Sequence, residues 1–214
     1  MSGEPQKLVG IVVFDGVEVL DFCGPFEVFS VTRVKSPDGR REDLVPFRVV
    51  LIAEKKDVVT AVGGLKVVPD CGLEESPRLD ILVVPGGIGT RREMHNSKLV
   101  AWVKQRAAEV ETLASVCTGS LILGSAGLLA GKRATTHWKL LEFLREQFPD
   151  VHVVSDEHVV REGNLFTSAG ISAGIDMALR VVAHHLGESV ARATAKQMEY
   201  PYPKDNRRRV EIAS

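Results

Sequence analysis

TLASVCTGSLILGSAGLLAG, residues 112 to 131, is a window without a charge, and the way it divides decides the fold. Taken as one helix, it is long enough to cross a bilayer. Its interior argues otherwise. Gly119, Gly124, Gly127 and Gly131, with Ser115, Ser120 and Ser125, dilute the apolar content and break the stretch into shorter elements. TLASV reads as a buried strand, Thr118 and Gly119 permit a sharp turn, and a helix is predicted over 118–129. The window is then a strand-turn-helix elbow with Cys117 at its tip.

Outward from that elbow the same alternation recurs. LVGIVVF (8–14), FRVVLIA (47–53) and ILVVP (81–85) are short, continuous apolar runs, as expected of strands buried on both faces of a parallel sheet. Helices are predicted over 25–34, 97–109, 138–147, 173–186 and 188–199; in the second of these Leu99, Val100, Val103 and Ala107 share one face. Shorter extended pieces at 65–68, 151–154, 158–161 and 165–168 read as a side ribbon or edge strands. The order predicts a doubly wound α/β domain, a mostly parallel sheet with helices on both faces. The whole chain, 1–214, reads as one such domain, with its core over about 7–200 and a tail over 201–214 expected to be solvated or draped on a partner. The charged, turn-rich stretch from Val34 to Pro46 reads as a surface loop.

Composition narrows the partners. With 27 basic and 28 acidic residues the formal net charge is -1, so no bulk field recruits nucleic acid or an anionic membrane, and a small-molecule partner is expected. The polar start MSGEPQK leads into too short an apolar run for a signal peptide, which predicts a cytoplasmic protein. Cys23, Cys71 and Cys117 are odd in number and lack C-x-x-C spacing, so they read as free thiols; neither disulfide nor zinc site is indicated.

Three segments carry chemistry. A thiol at Cys117 feels the positive end of the following helix, which favours thiolate and nucleophilicity; the alternative is a buried cysteine that simply packs. In VVPGGIG (83–89) a strand runs into a Pro-Gly-Gly turn whose amides can approach a ligand without side-chain obstruction, as an oxyanion pocket requires. It lacks the Lys-Ser/Thr ending of phosphate loops and the spacing of dinucleotide folds, so no nucleotide cofactor is supported. In FDGVEVLDFCGPFEVF (14–29), Asp21 lies among Val19, Leu20 and Phe22, where desolvation raises a carboxyl pKa and lets it keep a proton to donate; the alternative is a helix-capping or surface acid.

Taken in chain order, the carboxylate segment, the PGG turn and the SVCTG elbow resemble the ThiJ/PfpI superfamily, whose flavodoxin-like fold is that of class I glutamine amidotransferases. The resemblance continues through GLLAGKRATTHW (127–138), NLFTSAGISAGIDMAL (164–179) and QMEY (197–200), and is greatest for the isonitrile hydratase branch. It implies Cys117 as nucleophile, Asp21 as the acid facing it, Thr118 as a neighbour that helps hold substrate, and backbone amides near Gly87, Ile88 and Thr118 as the rest of the pocket. It implies no cofactor and no metal, and a homodimer. The peptidase branch follows its cysteine with histidine, whereas this chain has Thr118. His137, 20 residues after Cys117, is the nearest base in sequence, but a hydrogen-bonded structural imidazole beside Trp138 is the reading preferred here. Cys23 reads as core.

The implied reaction hydrates an isonitrile to an N-substituted formamide. Rivals are another cysteine-dependent activity of the superfamily, of glyoxalase or deglycase type, and a redox or stress sensor without turnover. Regulators of the arabinose-operon activator type share these motifs but need a further helix-turn-helix domain of about a hundred residues, which the stretch to Ser214 is expected not to hold. The Ser168–Gly174 turn is the expected gate.

Overall fold

Apolar runs without polar alternation have nowhere to go but between two layers, and that is where they lie. The computed structural model describes residues 6–35 and 43–212, so the loop expected between Val34 and Pro46 lies largely outside the described residues, with Val34 and Leu44 bridged antiparallel at its ends. In chain order the elements are β1 (Lys7–Val12), α1 (Val19–Val31), β2 (Phe47–Ala53), β3 (Val59–Thr60), β4 (Lys66–Val67), β5 (Cys71–Gly72) and β6 (Ile81–Val84). There follow α2 (Thr90–Glu93), α3 (Ser97–Ala107), β7 (Thr112–Val116), α4 (Gly119–Ser125), β8 (Arg133–Ala134), α5 (Leu141–Gln147) and β9 (His152–Val153). The chain continues through β10 (Val159–Glu162), β11 (Leu165–Ser168), α6 (Ala173–Leu186) and α7 (Glu188–Gln197).

Seven strands form one sheet in the order β10-β11-β7-β6-β1-β2-β5, parallel throughout except for β10 against β11. Every residue of β6 and β7 is buried, as covering helices on both faces require. α1, α6 and α7 pack together, and α4 packs with α2 and α3. The core runs through Ile11, Val83 and Val116 of the central strands to Phe29 of α1 and Val181 of α6. β1 pairs with β2 on one side and β6 on the other, so the winding reverses beside it; crevices at such a switch point, beyond the strand carboxyl ends, are where α/β folds place ligands.

The structure moves several expected boundaries. α1 begins at Val19 rather than residue 25, because Gly24-Pro25 does not break it. Pro25 withholds one amide, yet burial of Phe22, Val28 and Phe29 outweighs that loss, and bare Gly24 lets Ile175 of α6 close in to 3.0 Å of where a Cβ would stand. α4 stops at Ser125, not residue 129: Gly127 turns to φ +73° and its amide and that of Leu128 bond back to Gly124 and Leu123. Residues 138–140 form a 3-10 turn ahead of α5. β11 is an interior strand beside β7, and β10 forms the edge on that side of the sheet. Among the described residues no helix is long and apolar enough to cross a membrane.

The tail also departs from expectation. Asn206 pairs with both backbone groups of Val159, Arg208 inserts against Ser155, Thr135 and Thr136, and Arg209 meets Asp176 at 2.6 Å. Buried carbonyls and a carboxylate at 1% exposure recruit the guanidinium groups, so the segment packs on the domain.

Candidate active site

Three loops leave the carboxyl ends of β1, β6 and β7 at the switch point. They bring Asp21, the Gly86-Gly87 turn and Cys117 together. Cys117 terminates β7 with φ +55°, a left-handed conformation that costs a side-chain-bearing residue strain. The surroundings over-determine it. Its amide donates to the carbonyls of Ser168 (3.2 Å) and Ala169 (3.1 Å), and its own carbonyl accepts from the hydroxyls of Thr136 (3.0 Å) and Ser120 (3.2 Å). Gly119 follows because nothing larger fits: a Cβ there would stand 2.0 Å from the Val84 carbonyl oxygen.

Asp21 lies in the first turn of α1 and is completely buried. Its Oδ2 accepts from the Gly86 amide at 2.9 Å, while Oδ1 has no full hydrogen bond among the described residues. Burial pushes its pKa up to about 7, the Gly86 amide opposes that rise, and Glu18 adds to it; the Cys117 thiol beside the carboxyl favours the ionised form. The capping or surface role is therefore not what this position supplies. Gly86 is also constrained, less closely than Gly119. A Cβ on it would lie 2.6 Å from the Thr118 amide and 2.8 Å from Asp21 Oδ2.

For the sulfur, the expectation from helix position reverses. Cys117 is 5% exposed, and burial, followed by the charge of Asp21, pushes its thiol up to about 12. α4 has only seven residues, too short to offset that desolvation. The opposing influences are local: the amides of Ile171 and Thr118 and the Thr118 hydroxyl all favour a sulfur anion. The arrangement is a carboxyl and a thiol that share one poorly solvated space, so charge on either opposes charge on the other.

The remaining predicted residues fall unevenly. Thr118 is buried and, though it precedes α4, its hydroxyl does not cap that helix; it meets the Gly87 amide at 3.0 Å. That contact occupies the Gly87 N–H within the protein. Gly87 itself, at φ +123°, sits so close to Gly16 and Glu18 that no side chain is possible. Ile88 is 67% exposed at the rim. His137 Nδ1 accepts from the Lys139 amide at 3.3 Å, its ring is stacked on Trp138, and it packs against Gly170. Cys23 is half-buried against the core, and burial raises its thiol too.

Sequence reasoning passed over three residues. Gly86, rather than Gly87, holds Asp21. Ile171, φ +49°, presents its amide to the sulfur from the Ser168–Gly174 turn, so that turn supplies donors and acceptors for the elbow. Thr90, buried at the start of α2, contacts Thr118 at 3.0 Å. A backbone amide has no residue signature, so only the SAGIS composition hinted at the second.

The profile described as the DJ-1/PfpI family matches residues 7–184. The chain is similar to isonitrile hydratase of Pseudomonas putida, 38% identical over 193 residues that span 90% of this chain and 78% of that protein. It is also similar to the HTH-type transcriptional regulator GbdR of Pseudomonas aeruginosa, 34% identical over 142 residues, which span 66% of this chain and 38% of the regulator. Among solved structures, a ThiJ/PfpI family protein from Pseudomonas syringae superposes with a TM-score of 0.80 at 33% identity, over 94% of this chain and 78% of that one.

Proposed function

This chain belongs to the DJ-1/PfpI family, and from that premise we propose that it hydrates isonitriles to N-substituted formamides with Cys117 as nucleophile and Asp21 as its proton partner. One observation carries the reading: a fully buried carboxyl, ionising near 7, anchored by Gly86 on one oxygen and free on the other beside a cysteine held in a strained elbow. The 38% identity to isonitrile hydratase supports the same reaction.

A thiol as weakly acidic as this one needs a base at hand when it reacts. Asp21 takes the Cys117 proton as sulfur bonds to the terminal carbon of R–N≡C, and returns it to that carbon, leaving the thioimidate R–N=CH–S–Cys117. Water adds across the C=N bond to give R–NH–CH(OH)–S–Cys117. Collapse forms the formamide carbonyl, breaks the C–S bond and restores the thiol. A group ionising near the working pH serves both directions of transfer. The amides of Thr118 and Ile171, with Ile88 at the rim, meet the negative charge that develops. No cofactor enters this scheme. Three free thiols suit a reducing cytoplasm, and the family resemblance carries a homodimer, which sedimentation checks.

The test is ultraviolet detection of formamide from an aryl isonitrile, with the Cys117→Ala protein as blank. Absence of product above that blank, with turnover of methylglyoxal instead, transfers the site to a glyoxalase-type reaction. The match to GbdR favours a second reading, in which the same pocket binds a small molecule and releases it unchanged; saturable isonitrile or formamide binding without turnover is its signature.

A further inference from the structure

Two buried hydroxyls, one of them on the residue after Cys117, compete for the Gly87 carbonyl, which also accepts from the Thr90 amide at 3.2 Å and so has one lone pair left for a hydroxyl. Thr90 Oγ1 lies 2.7 Å from the Gly87 carbonyl oxygen and 3.0 Å from Thr118 Oγ1; Thr118 Oγ1 lies 3.3 Å from that same carbonyl and accepts from the Gly87 amide at 3.0 Å. Each hydroxyl owns one proton. Thr90 is fully buried and Thr118 nearly so, so water does not relieve the competition.

We propose that Thr90 is a positioning residue that decides where the Thr118 proton points: by occupying the Gly87 carbonyl, it leaves the Thr118 hydroxyl to donate to Cys117 Sγ. The distances favour this assignment, since the shorter contact to the carbonyl belongs to Thr90. With Thr90 donating to Gly87 and the Gly87 amide donating to Thr118, the Thr118 proton is the one left over. It has the sulfur and the Thr90 oxygen as acceptors, and an anionic sulfur is the stronger. Remove the Thr90 hydroxyl and the Gly87 carbonyl loses its nearer hydroxyl donor. Thr118 then turns to it, and the sulfur anion is left with the Ile171 and Thr118 amides alone. The Thr118 hydroxyl favours the anion, in keeping with this arrangement.

The inference rests on Cys117 being the reactive group of the proposed function, but its test does not use isonitrile turnover. Full-length protein is alkylated with iodoacetamide across a pH series, and the rate at Cys117 is read by peptide mass mapping, apart from Cys23 and Cys71. Thr90→Val is expected to lower the Cys117 alkylation rate about tenfold at each pH below the thiol's midpoint, because the thiolate fraction there falls by that factor. Thr90→Ser restores the wild-type profile, because it keeps the hydroxyl. In a Thr118→Val background, Thr90→Val adds nothing, the non-additivity expected of one relay. An unchanged rate in Thr90→Val, an equal further loss in the Thr118→Val background, or failure of Thr90→Ser to restore the profile overturns the proposal. Should Thr90→Val fail to fold, Thr90→Ala is read by the same criteria. A normal alkylation series in a protein that makes no formamide removes the proposed reaction and leaves the relay standing.

Discussion

Asp21 and Gly86 are 65 residues apart and joined by one hydrogen bond, amide to Oδ2 at 2.9 Å, which leaves Oδ1 without a full hydrogen bond among the described residues in a carboxyl that lies beside the Cys117 thiol. The bond anchors the carboxyl while leaving its proton-transfer face open. Asparagine accepts the same Gly86 hydrogen bond and carries no transferable proton. Asp21→Asn is therefore expected to lower formamide production on the order of a hundredfold or more while leaving the fold intact, and Cys117→Ala to abolish it. Steady-state rates with an aryl isonitrile check both.

The same substitution has the opposite effect on stability above neutral pH. A carboxyl that ionises near 7 when folded and near 3.8 when unfolded is protonated in both states at low pH and ionised in both at high pH. Between those values the unfolded chain releases its proton first, so stability is lost as pH rises through that window. The accumulated penalty reaches about 4 kcal/mol at most. Asp21→Asn should melt at the same temperature as the wild type near pH 3.5 and above it at pH 8; thermal denaturation across that range decides.

Gly86 and Gly119 separate site geometry from fold. A methyl on Gly119 drives into the Val84 carbonyl, fixed backbone between the central strands, so Gly119→Ala is expected to cost several kcal/mol and to yield little folded protein. A methyl on Gly86 instead meets Asp21 and Thr118. Gly86→Ala should fold with a smaller loss of melting temperature and lose most of its turnover. Paired melting curves and rates distinguish the two effects.

His137 and Arg208 each test how far the proposed chemistry extends beyond Asp21 and Cys117. The imidazole caps a short turn and has no step in the proposed reaction, so His137→Asn is expected to keep turnover within about threefold. Arg208, in the tail, bonds the Thr136 carbonyl, and the Thr136 hydroxyl bonds the Cys117 carbonyl. Arg208→Ala takes the guanidinium donor from the Thr136 and Ser155 carbonyls and should lower stability by about 2 kcal/mol. Its turnover should fall as the elbow loosens, while Arg208→Lys recovers it only in part.

Much of this was legible in the order of residues. Continuous apolar strands of four to seven residues, each leading to a turn and a helix, admit few arrangements other than a covered parallel sheet, and β2, β7, β11 and α6 fall where the pattern puts them. Residue type marked Cys117 and Asp21 because a thiol at an elbow and an acid among apolar neighbours are both unusual placements. Local pattern also misled: it started α1 only at residue 25, and three arginines read as a solvated or partner-draped end. In each case packing outweighed local preference.

The amino-acid order by itself determined the layered fold and singled out the two side chains proposed to react, because burial pattern and functional-group chemistry are properties of residue type and spacing. Only tertiary structure decided their protonation. Desolvation, the Gly86 amide and the mutual field of Asp21 and Cys117 arise when three distant loops close on one space, and they place the thiol high and the carboxyl near 7, against what the helix start alone suggested. Backbone amides such as that of Ile171, and the proton order between Thr90 and Thr118, belong to the same class: they depend on where atoms meet rather than on which residues are present.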